Sequence, residues 1–161
     1  MTRNQASLLF SVIVAIMMLF PSQPVWAQGG SANNTEIMRE KIRADKKLMI
    51  AQNMEMTEEQ AKAFWPLYES YQKDLDKLGD RMMKLIQDYA KDYQAMTEGL
   101  AKRLTDEYLD VESERQALRK AYLPKFRKIL PDTQVARYYQ IEQKIHALAS
   151  VELAAQIPLI K

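Results

Sequence analysis

The longest regular pattern of apolar residues in the chain lies between Thr57 and Tyr93. Apolar side chains recur there at alternating steps of four and three residues, which places them along one side of an α-helix. They are Phe64, Tyr68, Tyr71, Leu75, Leu78, Met82, Leu85 and Tyr89. A helix over this range is roughly 55 Å long at 1.5 Å per residue, too long for a compact globule to surround. Its apolar stripe therefore needs a partner helix, a second copy of the chain or a ligand.

Two residues mark the start of this helix. Thr57 precedes Gln60 by the spacing of a capping box, in which the Thr hydroxyl accepts from the Gln amide and the Gln side chain reaches back.

Pro66 falls inside the predicted helix. Because proline removes a hydrogen bond and crowds an earlier carbonyl, it predicts a bend rather than a break.

A second apolar stripe follows the sequence Thr97-Glu98-Gly99, which predicts a turn. Its members again advance mostly by threes and fours; they are Leu100, Leu104, Tyr108, Val111, Leu118, Tyr122, Phe126 and Ile129. A short connection between two helices of this length makes them antiparallel neighbours. Pro124 predicts a bend in this arm as well. The two stripes together predict a long bent antiparallel helical hairpin.

Two shorter helices flank the hairpin in the sequence. The first runs from Thr35 to about residue 53 and is basic and amphipathic, so its narrow apolar strip packs on the hairpin or faces a partner or a membrane. The last begins at the start signal formed by Pro131 and Gln134. The sequence therefore predicts an all-α fold of four helices in a single domain over residues 35–161.

The N-terminal segment has the features of a secretory signal peptide. Arg3 precedes an apolar run, and small residues precede a predicted cleavage site after Ala27. The apolar run is shorter than the ~20 residues that cross a bilayer, so we expect removal of residues 1–27 and no stable membrane insertion afterwards. Residues 28–34, rich in Gly, Ser and Asn, predict a disordered leader.

Composition argues against most chemistry. The chain has 23 Lys and Arg against 21 Asp and Glu, a net charge of +2, with no basic footprint typical of nucleic-acid binding. It has no cysteine, and His146 is its single histidine. A catalytic triad or a zinc site needs more such groups. We therefore expect a protein that is not an enzyme and has no cofactor, no metal site and no nucleic-acid partner.

One polar residue interrupts the second apolar stripe. Arg115 occupies a position where the spacing predicts an apolar side chain, and Glu112 lies three residues before it. One interpretation is an arginine whose stem packs while its head reaches water. The alternative is a buried pair with Glu112, or with a carboxylate of the preceding helix, that fixes the register of the hairpin.

Aromatic residues concentrate near the two helix starts. Phe64, Trp65, Tyr68, Tyr138 and Tyr139 are candidates for a surface that binds a client protein or a second copy, although core packing explains most of them. Because Phe64 and Trp65 are adjacent, they point about 100° apart on a helix. A thin hairpin cannot fully bury both, so Trp65 or Tyr139 is the stronger surface candidate.

Homodimerisation is predicted from the length of the stripes. Two short helices cover only part of the apolar surface of a long hairpin, and a two-fold contact between copies covers the remainder. Leu78 and Met82 are the residues predicted at this contact.

The two helix starts resemble each other. Residues 56–65 and 130–139 align without a gap at an offset of 74, and both place an apolar residue first and Gln fifth. The pattern resembles the paired LTxxQ motifs of the Spy/CpxP-like periplasmic proteins. Met56 stands where the first motif has Leu, and Pro131 stands where the second has Thr.

The resemblance implies a small periplasmic protein that forms an antiparallel homodimer. Members of this family include chaperones that need no ATP, proteins that restrain envelope-stress sensor kinases, and metal binders. We accordingly expect a periplasmic protein that holds unfolded or envelope proteins. The alternatives are an accessory regulator bound to a sensor-kinase periplasmic domain or an anti-sigma factor and, less favoured because ligands are few, a metal-responsive sensor.

Overall fold

The computed structural model describes residues 32–160, and within this range the chain is all-α with no strand. Its elements are α1 (Ala32–Asn53), α2 (Glu58–Asp92), a 3₁₀ turn (Tyr93–Ala95), α3 (Glu98–Arg127) and α4 (Asp132–Gln156). The predicted all-α fold is therefore confirmed. The predicted signal peptide lies outside the described residues, as do residues 28–31 of the predicted leader.

Contacts within the chain divide the described residues into two compact units. One contains residues 32–55 and 136–158, which form α1 and most of α4. The other contains residues 56–135 and 159–160, which include α2 and α3. The single domain predicted over residues 35–161 stays a prediction.

Aromatic rings join the two arms of the hairpin near the start of α2. The ring centroids of Phe64 and Phe126 are 5.6 Å apart, and those of Tyr71 and Tyr122 are 5.0 Å apart. All four residues are buried. Because the partner's number falls in α3 as the residue number rises in α2, the arms are antiparallel, as predicted. Such aromatic contacts stabilise beyond their buried area alone.

The two arms bury each other's side chains less completely towards the connection. Leu78, Leu104 and Val111 are buried there, whereas Met82 is only half-buried. Tyr108 belongs to the predicted stripe of α3 and is 47% exposed. Two helices bury only the residues along their line of contact, and Tyr108 lies at the edge of the stripe.

The capping box at the start of α2 is confirmed. The Gln60 backbone amide donates to the Thr57 hydroxyl at 3.2 Å, and the Thr57 amide donates to the Gln60 side-chain oxygen at 2.9 Å. The helix then continues through Pro66 to its end at Asp92. Likewise α3 continues through Pro124. The bends predicted at the two prolines stay predictions.

Two helix starts differ from their predicted positions. The Thr97 hydroxyl accepts from the Leu100 amide at 3.3 Å and caps α3, so Gly99 is helical and the connection lies earlier, at Tyr93–Ala95. The turn predicted at residues 97–99 was therefore wrong, because its Thr acts as a helix cap. Also, α1 begins at Ala32 rather than at Thr35. Helix thus includes the last residues of the predicted leader.

The start of α4 is where the sequence placed it. The backbone amides of Gln134 and Val135 donate to the Pro131 carbonyl at 2.9 and 3.0 Å. Pro131 thus precedes the first helical residue, Asp132, and needs no amide hydrogen there.

An ion pair joins α1 to α4 in the other unit. The Lys46 ammonium donates to the Glu142 carboxylate at 2.9 Å, and the Glu142 side chain is only 8% exposed. The Arg137 guanidinium lies 3.5 Å from the carbonyl of Asn53, the last residue of α1. A cation at this end of a helix is favourable. The buried apolar residues of this unit are Met49, Ile50, Met54 and Tyr138.

Replacing Thr57 with Ala removes the hydroxyl that caps α2, and we expect it to lower the free energy of unfolding by about 1 kcal/mol. Thr105→Ala is the matched control, since Thr105 is exposed inside α3 and Ala favours a helix interior. Urea denaturation followed by circular dichroism measures both. Equal stability of the two variants would contradict the capping role.

Candidate functional site

The hairpin has two chemically different sides. Successive residues of a helix are about 100° apart. Counted in this way from the buried Leu78, Arg81 and Asp88 lie on one flank of the α2 stripe. Met82 and Ile86 lie on the other flank. The same angle per residue, counted around α3 from the buried Val111, places Glu107, Glu114 and Arg103 on one flank of that helix. Tyr108 and Arg115 lie on the opposite flank. Bonds from α2 to α3 on the first flank define the ion-pair side, which contains Asp74, Arg81, Asp88, Arg103, Glu107 and Glu114. The opposite flank, the apolar side, contains Leu75, Met82, Ile86, Tyr108 and Arg115.

Arg81 is the central residue of the ion-pair side. Its guanidinium donates to the Glu114 carboxylate at 2.7 Å and to the Glu107 carboxylate at 3.0 Å. These two hydrogen bonds, that to Glu114 first, raise the pKa of Arg81. Because Glu107 and Glu114 are two helical turns apart, one guanidinium contacts α3 at two levels. This contact specifies the register of the two arms.

A second polar contact joins the arms nearer the aromatic rings. The Tyr122 hydroxyl donates to the Asp74 carboxylate at 2.7 Å and lies 3.0 Å from the Ser70 hydroxyl. The pKa of Asp74 is lowered, first by the hydrogen bond from Lys77 and then by the one from Tyr122. Burial raises the pKa of Tyr122, so this hydroxyl stays protonated and continues to donate.

A cavity of about 550 Å³ opens on the ion-pair side near the connection. Basic and acidic side chains line it in equal number; they are Arg81, Lys84, Lys102 and Arg103 with Asp88, Asp106, Glu107 and Asp110. Ion pairs already join most of them to each other. Because the charges balance locally, the cavity has no excess of either sign to attract a charged ligand.

The apolar side is more open. Leu75, Met82 and Ile86 are half-buried, and Tyr108 is 47% exposed. Met83, next to this side, is 40% exposed. The stripe predicted from the sequence is thus packed at its aromatic end and accessible towards the connection.

Three of the aromatic residues predicted as binding residues are core residues. Phe64, Tyr68 and Tyr138 are no more than 2% exposed, which agrees with the interpretation that core packing explains most of the aromatic residues; their contact with a client or a second copy stays a prediction. Each lies at the centre of an apolar stripe and is covered by its own chain. Trp65 and Tyr139 are half-buried; their rings lie 5.2 Å from Phe64 and 5.5 Å from Tyr138.

The two residues predicted at a dimer contact differ in exposure. Leu78 is only 7% exposed, because it lies on the line of contact between the arms; its role at a dimer contact stays a prediction. Met82, one turn further, is half-buried and on the apolar side. Of this pair, Met82 alone presents appreciable surface to another molecule.

Arg115 and Glu112 form a loose pair within α3. Arg115 Nε lies 3.6 Å from the Glu112 carboxylate, and the Arg115 side chain is 19% exposed. The Arg115 side chain is thus mostly buried, and its Nε atom is inaccessible to water. Among the described residues the carboxylate nearest to Arg115 is that of Glu112 within α3 and not one of α2; whether this pair fixes the register stays a prediction.

The residues that hold the hairpin in register were not singled out from the sequence. Arg81 is not among the apolar positions of the stripe, yet it follows Leu78 by three positions and so lies at the edge of the stripe. A basic side chain at such an edge reaches the neighbouring helix. Tyr122 offered a second signal, since a buried tyrosine hydroxyl needs a hydrogen-bond partner.

Residues 32–160 form neither a cluster of metal-ligating side chains nor a membrane-spanning helix. No group of three or more His, Asp or Glu side chains in this range is placed to hold a metal ion. None of the described helices combines the length and apolar character that a bilayer span requires.

Replacing Asp74 with Asn should lower stability at neutral pH, because the amide is a weaker acceptor for Tyr122 and Lys77. Since the folded-state pKa of Asp74 is below its ordinary 3.8, the carboxylate stabilises the fold above that value. The contribution disappears as the pH falls through the folded-state pKa. The stability difference between wild type and D74N should therefore shrink below pH 3.8.

Urea denaturation across pH 2 to 7 measures this difference, and Tyr122→Phe is the matched background. In that background the D74N effect should be smaller, because one of the two hydrogen bonds to Asp74 is already gone. A stability difference between wild type and D74N that does not change with pH would contradict the stabilising role of the Asp74 carboxylate.

No family model, no curated protein and no solved structure matches the chain. The likeness to the Spy/CpxP-like proteins thus rests on the paired helix-start motifs alone. The geometry of the hairpin is the basis on which a function is inferred.

Proposed function

We propose that the protein is a secreted, periplasmic, non-catalytic binding protein that holds unfolded polypeptides without ATP. The apolar side of the hairpin is the observation that carries the proposal. Leu75, Met82 and Ile86 leave part of their surface open there, and Tyr108 exposes 47% of its surface. Exposed apolar surface of this kind, next to polar residues, is typical of sites that bind other proteins.

The dimensions of the apolar side suit an extended polypeptide. From Leu75 to Ile86 the helix rises roughly 17 Å at 1.5 Å per residue, which matches about five residues of extended chain at ~3.3 Å each. Met82 and Met83 have flexible, polarisable side chains that adapt to different apolar partners. A surface of this size and composition favours weak binding to many sequences over tight binding to one.

The ion-pair side keeps the apolar side available. Rotating α2 against α3 to bury Met82 and Ile86 would separate Arg81 from Glu107 and Glu114, which it contacts at two levels. It would also break the hydrogen bond from Tyr122. A surface held open in this way needs no nucleotide-driven step to expose it, which supports holding without ATP.

The pattern of residues 1–27 supports secretion, and the likeness of the paired motifs supports a periplasmic location. A second copy of the chain is the other candidate occupant of the apolar side. Because a client and a second copy would use the same residues, we propose a homodimer that exchanges this contact for clients.

Replacing Tyr108 with Ser should weaken client holding, because the ring contributes apolar area on the apolar side. Leu109→Ser is the matched control: Leu109 is 58% exposed but lies about 100° further round α3, away from the hairpin contact. We expect Y108S to require at least about threefold more protein than wild type to halve aggregation. L109S should behave as wild type.

Light scattering of a denatured client diluted into buffer without nucleotide measures the effect, and sedimentation velocity of the same variants reports the oligomeric state. No suppression by wild-type protein at several-fold excess would reject the proposed function. Equal effects of Y108S and L109S would reject the apolar side as the binding surface.

A further inference from the structure

Arg115 is a charged residue at an apolar position on the apolar side. It lies two turns from Tyr108 and three residues before the half-buried Leu118. The Arg81–Glu114 and Tyr122–Asp74 hydrogen bonds lie on either side of Arg115 along the hairpin. Arg115 is therefore level with Leu78 in the other arm. Its side chain is 19% exposed, and its Nε atom is buried.

The hydrogen-bond donors of Arg115 are unused within the part of the chain that the structure describes. Its Nε atom is buried and has no hydrogen-bond partner there. The Glu112 carboxylate lies 3.6 Å away, beyond the range of an N–H···O hydrogen bond. In the same hairpin Arg81 donates to two carboxylates at 3.0 and 2.7 Å. The two arginines therefore differ in kind, since one is fully engaged and the other retains its donors.

Retaining an arginine here is unfavourable for folding alone. A buried donor without a partner loses its hydration and gains no hydrogen bond. An apolar side chain of similar volume at such a position often gives equal or greater stability. The arginine is thus better explained by an interaction that the isolated chain does not make.

We propose that Arg115 binds a carboxylate of the client, supplied by an acidic side chain whose apolar neighbours rest on Leu75, Met82 and Tyr108. This inference rests on the proposed function and names the class of segment that the hairpin selects. The buried Nε atom is out of reach of another molecule, so the two terminal Nη groups of the planar guanidinium supply the paired donors that match a carboxylate in a bidentate manner. Neighbouring apolar contacts exclude water and strengthen that hydrogen bond.

A peptide segment suits this surface better than a free small carboxylate. Acetate satisfies the guanidinium but leaves the half-buried Met82 and the exposed Tyr108 in contact with water. A chain with an acidic residue between apolar ones supplies both contacts at once. Acetate should therefore compete poorly with such a peptide.

The test uses two fluorescent ten-residue peptides that alternate Leu and Ser and carry either Glu or Gln at the centre. Fluorescence anisotropy with the purified protein should show about tenfold tighter binding of the Glu peptide at low salt, and the preference should decrease as NaCl is added. Arg115→Gln should abolish the preference and leave binding of the Gln peptide within about twofold. Millimolar acetate should not displace the Glu peptide.

Lys120→Gln is the matched control, because it removes one positive charge from an exposed position on the far face of α3. It should keep the preference for the Glu peptide. Arg115→Met is a second variant that keeps the packed stem. If R115M and R115Q both lose the preference for the Glu peptide while their helical circular dichroism is intact, the loss is due to recognition and not to misfolding.

Any of the following results would overturn the inference: equal binding of the two peptides by wild type, a preference that survives in both Arg115 variants, or its equal loss in K120Q. A change of oligomeric state in R115Q with an unchanged peptide preference would also overturn it and assign the arginine to a second copy. Client holding without any preference for Glu rejects the inference but leaves the proposed function intact. If the protein binds neither the peptides nor unfolded clients, both the inference and the proposed function are rejected.

Discussion

The contact of Arg81 with Glu107 and Glu114 constrains how the two arms of the hairpin lie against each other. Two helices alone bury only the residues along their line of contact, so apolar packing leaves their sliding and rotation weakly specified near the connection. A guanidinium that bonds to α3 at two levels limits both movements. Tyr122 and Asp74 add a second fixed point closer to the aromatic rings. Polar contacts thus specify a geometry that apolar packing stabilises.

This division of roles explains why apolar surface stays open without collapse. At one end Phe64, Tyr71, Tyr122 and Phe126 bury their rings against each other and supply the apolar stabilisation. Towards the connection the ion-pair side closes one flank, and the apolar side faces outward. Met82 and Tyr108 can then meet another chain without a rearrangement of the helices. Preorganisation of this kind reduces the entropic cost of binding.

The sequence was sufficient for the helices and insufficient for their contacts. A repeat of 3.6 residues and the Thr57–Gln60 capping box depend on local geometry, so both could be predicted from the residues themselves. Whether a stripe residue is buried depends on the width of the neighbouring element. Leu78 and Tyr108 both belong to predicted apolar stripes, yet 7% of one and 47% of the other is exposed. The partners of Arg81 likewise depend on the register between arms, which periodicity does not contain.

The central claim is that clients contact the apolar side and not the ion-pair side. Site-specific photo-crosslinking tests it most directly, with benzoylphenylalanine placed at position 86 on the apolar side or at position 84, where Lys84 pairs with Asp88 on the ion-pair side. Irradiation in the presence of an unfolded client should give crosslinked product from position 86 and little from position 84. Equal crosslinking from both positions, or a stronger product from position 84, would contradict the account.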